Sequence, residues 1–216
     1  MCFSAPASFI ASGGLVAIGG VSLVAANKED KILAAIPFLF GVQQFFEGIQ
    51  WLYLNSGSSS LLAGYGFLLF AFIVWPMYIP TFVYMLDKKK RSILRWFIVL
   101  GIAVGLYFFL LLLTQSLSIA KLDKCVSYTF NFPFKYLVNG SYIISVFAPL
   151  FISSHKVFRW FGLLIGILAI IAWLFFALTF ASVWCFFAAI VSAMFFLYIK
   201  FKKTPEFKEI DSGKIM

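Results

Sequence analysis

The chain reads as an all-α membrane protein: a bundle of seven transmembrane helices with its N-terminus outside and its C-terminus inside. Three observations carry that reading. Of 216 residues, 63% are apolar and only 12% are charged, half of the roughly 25% charge that a water-exposed domain carries. The apolar residues gather into seven runs that reach or approach the ~20 residues a helix needs to cross the hydrocarbon core. The basic residues stand in the breaks between those runs, and they are distributed unevenly. Disorder is excluded by the apolar content, and a disulfide-rich scaffold by a total of three cysteines.

The first run, 8–26, ends at the hydrophilic break Asn27–Lys31. The second, 32–54, stops at the Ser- and Gly-rich stretch Asn55–Ser60. The third, 61–85, holds Pro76 and Pro80, which should kink it and free backbone carbonyls. It closes on Asp87–Arg95, after which 96–117 forms the fourth. The fifth, 138–153, follows a long loop over Lys121–Asn139 and is interrupted by Pro149. The sixth and seventh, 161–179 and 183–200, are separated only by Phe180, Ala181 and Ser182, a tight hairpin. No break is long enough for a soluble domain. The organisation is therefore one seven-helix transmembrane domain over 1–201, followed by a charged cytoplasmic tail over 202–216.

Orientation follows from the basic residues, because short cytoplasmic loops keep the positive excess. One set of loops holds Lys28, Lys31, Lys88, Lys89, Lys90, Arg91, Arg95, Lys156 and Arg159, and the tail region adds Lys200, Lys202, Lys203, Lys208 and Lys214. The opposite set holds only Lys121, Lys124 and Lys135. All 17 basic residues are thereby placed in loops or at helix ends, and the net charge of +9 is a topology signal. It implies a lipid bilayer as partner and no nucleic acid. Trp51 and Trp184 fall at outer helix ends and Trp96 and Trp160 at inner ends, as an interfacial belt would place them. The first residues lack the basic segment that opens a cleavable signal peptide. The expected location is a cell membrane, crossed several times.

The second run carries the strongest candidate site. At 100° per residue, Gln43, Glu47 and Gln50 fall within roughly 60° of one another. Gly41 and Gly48 lie on roughly the opposite side, so two faces are expected to pack and the polar stripe to turn inward. Glu47 is the one carboxylate inside any of the seven runs. Placing an ionisable group in lipid costs about 2.5–3.5 kcal/mol on insertion scales, so such a group marks an ion or proton path, a substrate anchor or a ligand. The structural alternative is a neutral acid that hydrogen-bonds neighbouring helices together. No intramembrane Lys or Arg stands ready to pair with it.

Other chemistry-bearing residues are few. Cys2, Cys125 and Cys185 all map to the outer side, where a disulfide between some pair of them is permitted. Cys185 reads as a small packed residue. Cys2 becomes the terminal residue if Met1 is removed, with thiol and α-amine together as an N-terminal nucleophile or a metal ligand requires. His155 reads as a solvated loop residue. Gly13, Ala17 and Gly20 share one face of the first run, a small-residue stripe for close helix packing. Thr114, Gln115, Asn139, Ser141, Tyr142 and Ser145 are placed to line an outward cavity with Glu47. No P-loop, dinucleotide fingerprint, paired acidic metal site or mid-helix Lys for a Schiff base is present.

The opening Met1-Cys2-Phe3-Ser4-Ala5, followed by Ala7-Ser8-Phe9, resembles the start of an uncharacterised bacterial family of small polytopic membrane proteins. The stretch from Pro37 to Leu52, with Gln43-Gln44, Glu47-Gly48 and Trp51-Leu52, is similar to a second signature of that family. The resemblance brings no activity with it and directs attention to Cys2, Gln43, Gln44 and Glu47. The leading function is then a small-molecule or ion transporter or channel with its site at Gln43, Gln44, Glu47 and Gln50. The alternatives are an outer-face enzyme or redox or metal protein using Cys2, and a receptor-like or accessory subunit.

Overall fold

Helices dominate the computed structural model, which describes residues 4–122 and 125–201. Ser4 opens the first, α1 (Ala5–Ala25): its hydroxyl accepts the Ala7 N–H, and Pro6 sits in the first turn, where no N–H is needed. α1 packs along α2 (Lys31–Asn55). Gly41 of α2 receives Val16 and Ser12, Gly48 receives Phe9, and Gly19 of α1 lies against the Phe38 backbone. The glycine side of α2 is thus a packing face, as its spacing suggested. The face of α1 differs from expectation. Gly13 and Ala17 are exposed, and nothing surrounds Gly13 or Gly20. The buried stripe is Ala5, Ser8, Ser12, Leu15, Gly19 and Ser22, because serines are small enough to serve where glycine and alanine alone were counted.

The next run is α3 (Leu61–Leu68), a π-helical segment (Leu69–Val74) and α4 (Trp75–Leu86). Pro76 explains how the π segment is finished. In the i→i−5 register the Trp75 N–H bonds the Phe70 carbonyl, and the Ala71 carbonyl awaits an N–H that Pro76 lacks. The Tyr142 hydroxyl donates to it instead, at 2.7 Å. Tyr142→Phe should therefore lower stability by about 1–3 kcal/mol, the cost of a buried carbonyl left unpaired, read as a fall in thermal midpoint in detergent.

α5 (Arg91–Thr114) crosses α4 closely enough that a Cβ on Gly101 would collide with the Pro76 carbonyl oxygen. The long loop that follows is not irregular. It contains an antiparallel hairpin, β1 (Ser118–Leu122) and β2 (Cys125–Thr129), with Ile119 opposite Tyr128 and Lys121 opposite Val126. Val126 packs with Ala5 and Trp51, while Ser127 donates to the Leu178 carbonyl at 2.9 Å. Lys121 reaches Asn55 at 3.0 Å and lies over the Trp51 ring. The hairpin roofs this end of the bundle, so Trp51 is buried where an interfacial position was expected. Trp184 is buried as well, whereas Trp96 and Trp160 are exposed.

α6 (Lys135–Ile152) leads to a helical stretch over 156–201: α7 (Lys156–Phe176), a 3₁₀ turn (Ala177–Thr179), α8 (Phe180–Ser192) and α9 (Met194–Phe201). Phe176 leaves helical geometry at φ −138°, ψ 38°, and α7 packs against α8 beyond the turn. Six helical runs among the described residues are long and apolar enough to cross a membrane: Ala5–Ala25, Lys31–Asn55, Leu61–Leu86, Arg91–Thr114, Lys135–Ile152 and Lys156–Phe201. Their composition is that of a multi-pass membrane protein. The expected tail, 202–216, lies outside the described residues.

The end opposite the hairpin is tied by Asp87. Its carboxylate accepts the Ser153 hydroxyl at 2.9 Å, the Ser154 N–H at 2.6 Å, the Ser154 hydroxyl at 2.8 Å and the Lys89 N–H at 3.1 Å. Burial pushes its pKa up, but the Ser154 and Ser153 donors and the nearby His155 outweigh that and hold it below the ordinary 3.8. His155 is thus a half-buried neighbour of this carboxylate, its ring against Phe158, and not the solvated residue expected. A depressed folded-state pKa gives stabilisation that is complete above the unfolded value and is lost as pH falls through the folded one. Asp87→Asn should cost about 1.5–3 kcal/mol, the worth of hydrogen bonds to a charged group. Its deficit against wild type should shrink in melts at acid pH.

Candidate functional site

The site is built where α2, α8 and β2 meet. Gln43, Gln44, Glu47 and Gln50 are all buried, and Glu47 is 2% exposed. The inward stripe read from spacing is therefore present, with Gln44 buried beside it. The Glu47 carboxylate accepts two hydroxyls: Tyr128 of β2 at 3.0 Å and Ser182 of α8 at 2.5 Å. Burial, and then the Glu47 carboxyl beside it, hold the Tyr128 phenol well above its usual pKa range, so it remains a donor. Its ring stacks on Phe67 at 4.9 Å, which fixes the hydroxyl toward Glu47.

One turn toward the basic-loop end, Gln43 accepts the Trp75 indole N–H at 2.8 Å, and its amide lies beside the Cys185 thiol. Phe40, a turn further, stacks on Trp75 at 3.8 Å. Glu47, Gln43 and Phe40 thus descend one face of α2, opposed by Ser182, Cys185 and Ala188 on α8. They lead to a cavity of about 30 Å³ walled by Phe40, Trp75, Tyr142, Phe161, Trp184 and Cys185, among others. Beyond it Phe161 meets Phe195 at 4.4 Å and Phe82 meets Phe158 at 5.4 Å, an apolar floor.

The arrangement is under-satisfied. Both amide atoms of Gln44 and of Gln50, the Gln43 amide nitrogen, the Trp51 indole N–H and the Ser8 hydroxyl are buried without a hydrogen-bond partner among the described residues. A buried polar group left unpaired costs about 1–3 kcal/mol, so this concentration marks a place where water or a ligand completes the bonding.

Several expected members stand elsewhere. Thr114, Gln115 and Asn139 are exposed and do not join Glu47. Tyr142 is spent on the Ala71 carbonyl, and the Ser145 hydroxyl bonds the Tyr142 carbonyl. Cys2 lies outside the described residues. Cys125 is disulfide-bonded, and Cys185 is a buried free thiol. No group of three His, Cys, Asp or Glu suited to a metal occurs among the described residues. Sequence reading missed Tyr128, Ser182 and Trp75. Only Tyr128 left a signal, in the alternating, β-branched run Cys125-Val-Ser-Tyr-Thr129.

No curated protein and no solved structure matches the chain. A family model matches residues 1–210, nearly the whole sequence. The chain belongs to the family of unknown function DUF6629.

Proposed function

We propose that this protein is a seven-crossing transporter that carries protons or a small cation by way of Glu47. The observation that carries the reading is a carboxyl inside an apolar bundle, bonded by two neutral hydroxyls and flanked by the Gln44 and Gln50 amides, which have no partner among the described residues. An ionisable group kept in membrane-spanning structure is expensive and by default functional. The Glu47–Gln43–cavity file is roofed by the hairpin at one end and stopped by Phe161 and Phe195 at the other. That is the outline of an access path with a closed far gate.

The topology belongs to the same proposal. α7 has 21 residues, enough to cross once, and α8 with α9 returns over a similar length. Seven crossings put the hairpin and N-terminus outside and the basic loops inside, in a bacterial inner membrane. The second reading, an outer-face enzyme using Cys2, is weakened by cysteine arithmetic. A disulfide that takes up the Cys2 thiol would remove the nucleophile, and Cys125 is disulfide-bonded while Cys185 is free. Peptide mapping without reductant should return the linked Cys2 and Cys125 peptides. A free, alkylated Cys2 would restore the nucleophile reading.

The test of transport is direct. Liposomes holding the purified protein and a trapped pH indicator should dissipate an imposed gradient several-fold faster than empty ones. Wild-type protein that is folded and no faster than lipid alone would overturn the proposal.

A further inference from the structure

We infer that the aromatic cavity below Gln43, together with Glu47, is a binding site for a small primary ammonium ion, ammonium or methylammonium. The inference rests on the Glu47 reading and names the cargo class for it. Size comes first. The cavity of about 30 Å³ is two to three times the ~10–15 Å³ that one water-sized sphere needs, which admits one or two heavy atoms and excludes sugars, amino acids and quaternary ammonium ions.

Chemistry narrows it further. Five of the wall residues are aromatic: Phe40, Trp75, Tyr142, Phe161 and Trp184. The three with polar tips have spent them elsewhere. Trp75 donates to Gln43, Tyr142 to the Ala71 carbonyl and Trp184 to the Ile165 carbonyl. The wall therefore offers ring π-systems and no hydrogen-bonding groups from its aromatic residues. A water, which needs two to four polar partners, is poorly served there. An alkali or alkaline-earth ion, which takes oxygen ligands, is served no better. Aromatic rings do attract ammonium-type cations, most strongly where water is excluded.

Charge sets the sign. No Lys or Arg lies in the spanning runs among the described residues except at their ends, and Glu47 is the one carboxyl inside them. Cys185 both walls the cavity and stands within electrostatic reach of Glu47. Seven residues separate Phe40 from Glu47, about 10 Å along α2 at 1.5 Å per residue, with Gln43 between them. An ammonium ion would thus pass from the carboxylate to the aromatic wall within one helix face.

The test uses purified full-length protein in nanodiscs. Tryptophan fluorescence and thermal midpoint are followed against ammonium, methylammonium, sodium and tetramethylammonium chlorides at constant ionic strength. Saturable changes with the first two, absent with the last two, are expected. Glu47→Gln should weaken the apparent affinity at least tenfold. Ala188→Leu, which fills the cavity from α8, should abolish the response while the protein still melts cooperatively. Equal responses to ammonium and sodium, or an ammonium response that survives Ala188→Leu, would overturn the inference. Proton flux that depends on Glu47 with no ammonium response sinks this inference alone. Saturable ammonium binding without flux sinks only the transport reading.

Discussion

Glu47→Leu is expected to lower the stability of the protein by about 2–5 kcal/mol, whereas Glu47→Gln should cost about 1 kcal/mol or less. The leucine removes the acceptor of the Tyr128 and Ser182 hydroxyls, and each buried hydroxyl left unpaired is worth about 1–3 kcal/mol. The glutamine keeps shape and one carbonyl oxygen, and a hydroxyl can rotate to accept from its amide. Thermal or denaturant unfolding in detergent reads the difference. Transport separates the roles: a carboxyl that carries protons cannot be replaced by an amide that does not titrate. The glutamine variant should therefore stay folded and lose the pH-driven flux. A glutamine variant that transports like wild type across pH would reduce Glu47 to a structural tie between α2, α8 and β2.

Gly101→Ala is expected to be among the most damaging single-methyl additions in the chain. The new Cβ would meet the Pro76 carbonyl oxygen, which is backbone and cannot rotate away, with the Pro80 ring at 3.3 Å behind it. Overpacking costs about 1–3 kcal/mol and occasionally more, and the upper end applies because α4 or α5 must move as a body. Gly20→Ala is the control, since nothing lies within 4 Å of a Cβ there. It should be neutral or slightly stabilising, given that alanine is favoured over glycine in a helix by about 1 kcal/mol. Unfolding midpoints of the two variants measured side by side would check the pair. Equal midpoints would remove the close α4–α5 approach.

What the sequence made legible was what a single helix face can express. The polar stripe of α2 and its glycine face follow from 100° per residue, and both are where the spacing puts them. Whatever depends on a neighbour was hidden. The exposure of Gly13 and the burial of Ser12 are decided by which face α2 presents, and composition alone favours the glycine. Trp51 ends a helix as an interfacial Trp would, but the Val126 that covers it comes from a hairpin 75 positions on. The hairpin itself was masked by Lys121 and Lys124 and by the absence of an Asn-Gly or Asp-Gly turn. Tyr128 and Ser182 reach Glu47 across 81 and 135 residues, distances at which local periodicity carries nothing.

Those same separations set a timetable for assembly. Chains are synthesised at about 5–20 residues per second, so Tyr128 follows Glu47 by roughly 4–16 s and Ser182 by roughly 7–27 s. Through that interval α2 has α1 beside it, joined by a break of a few residues, but neither of the hydroxyls that will hold its carboxylate. The first two helices must therefore enter the membrane as a waiting pair with an unmatched acid. The closing turn between α7 and α8, which brings Ser182 home, is the last event that can seat it.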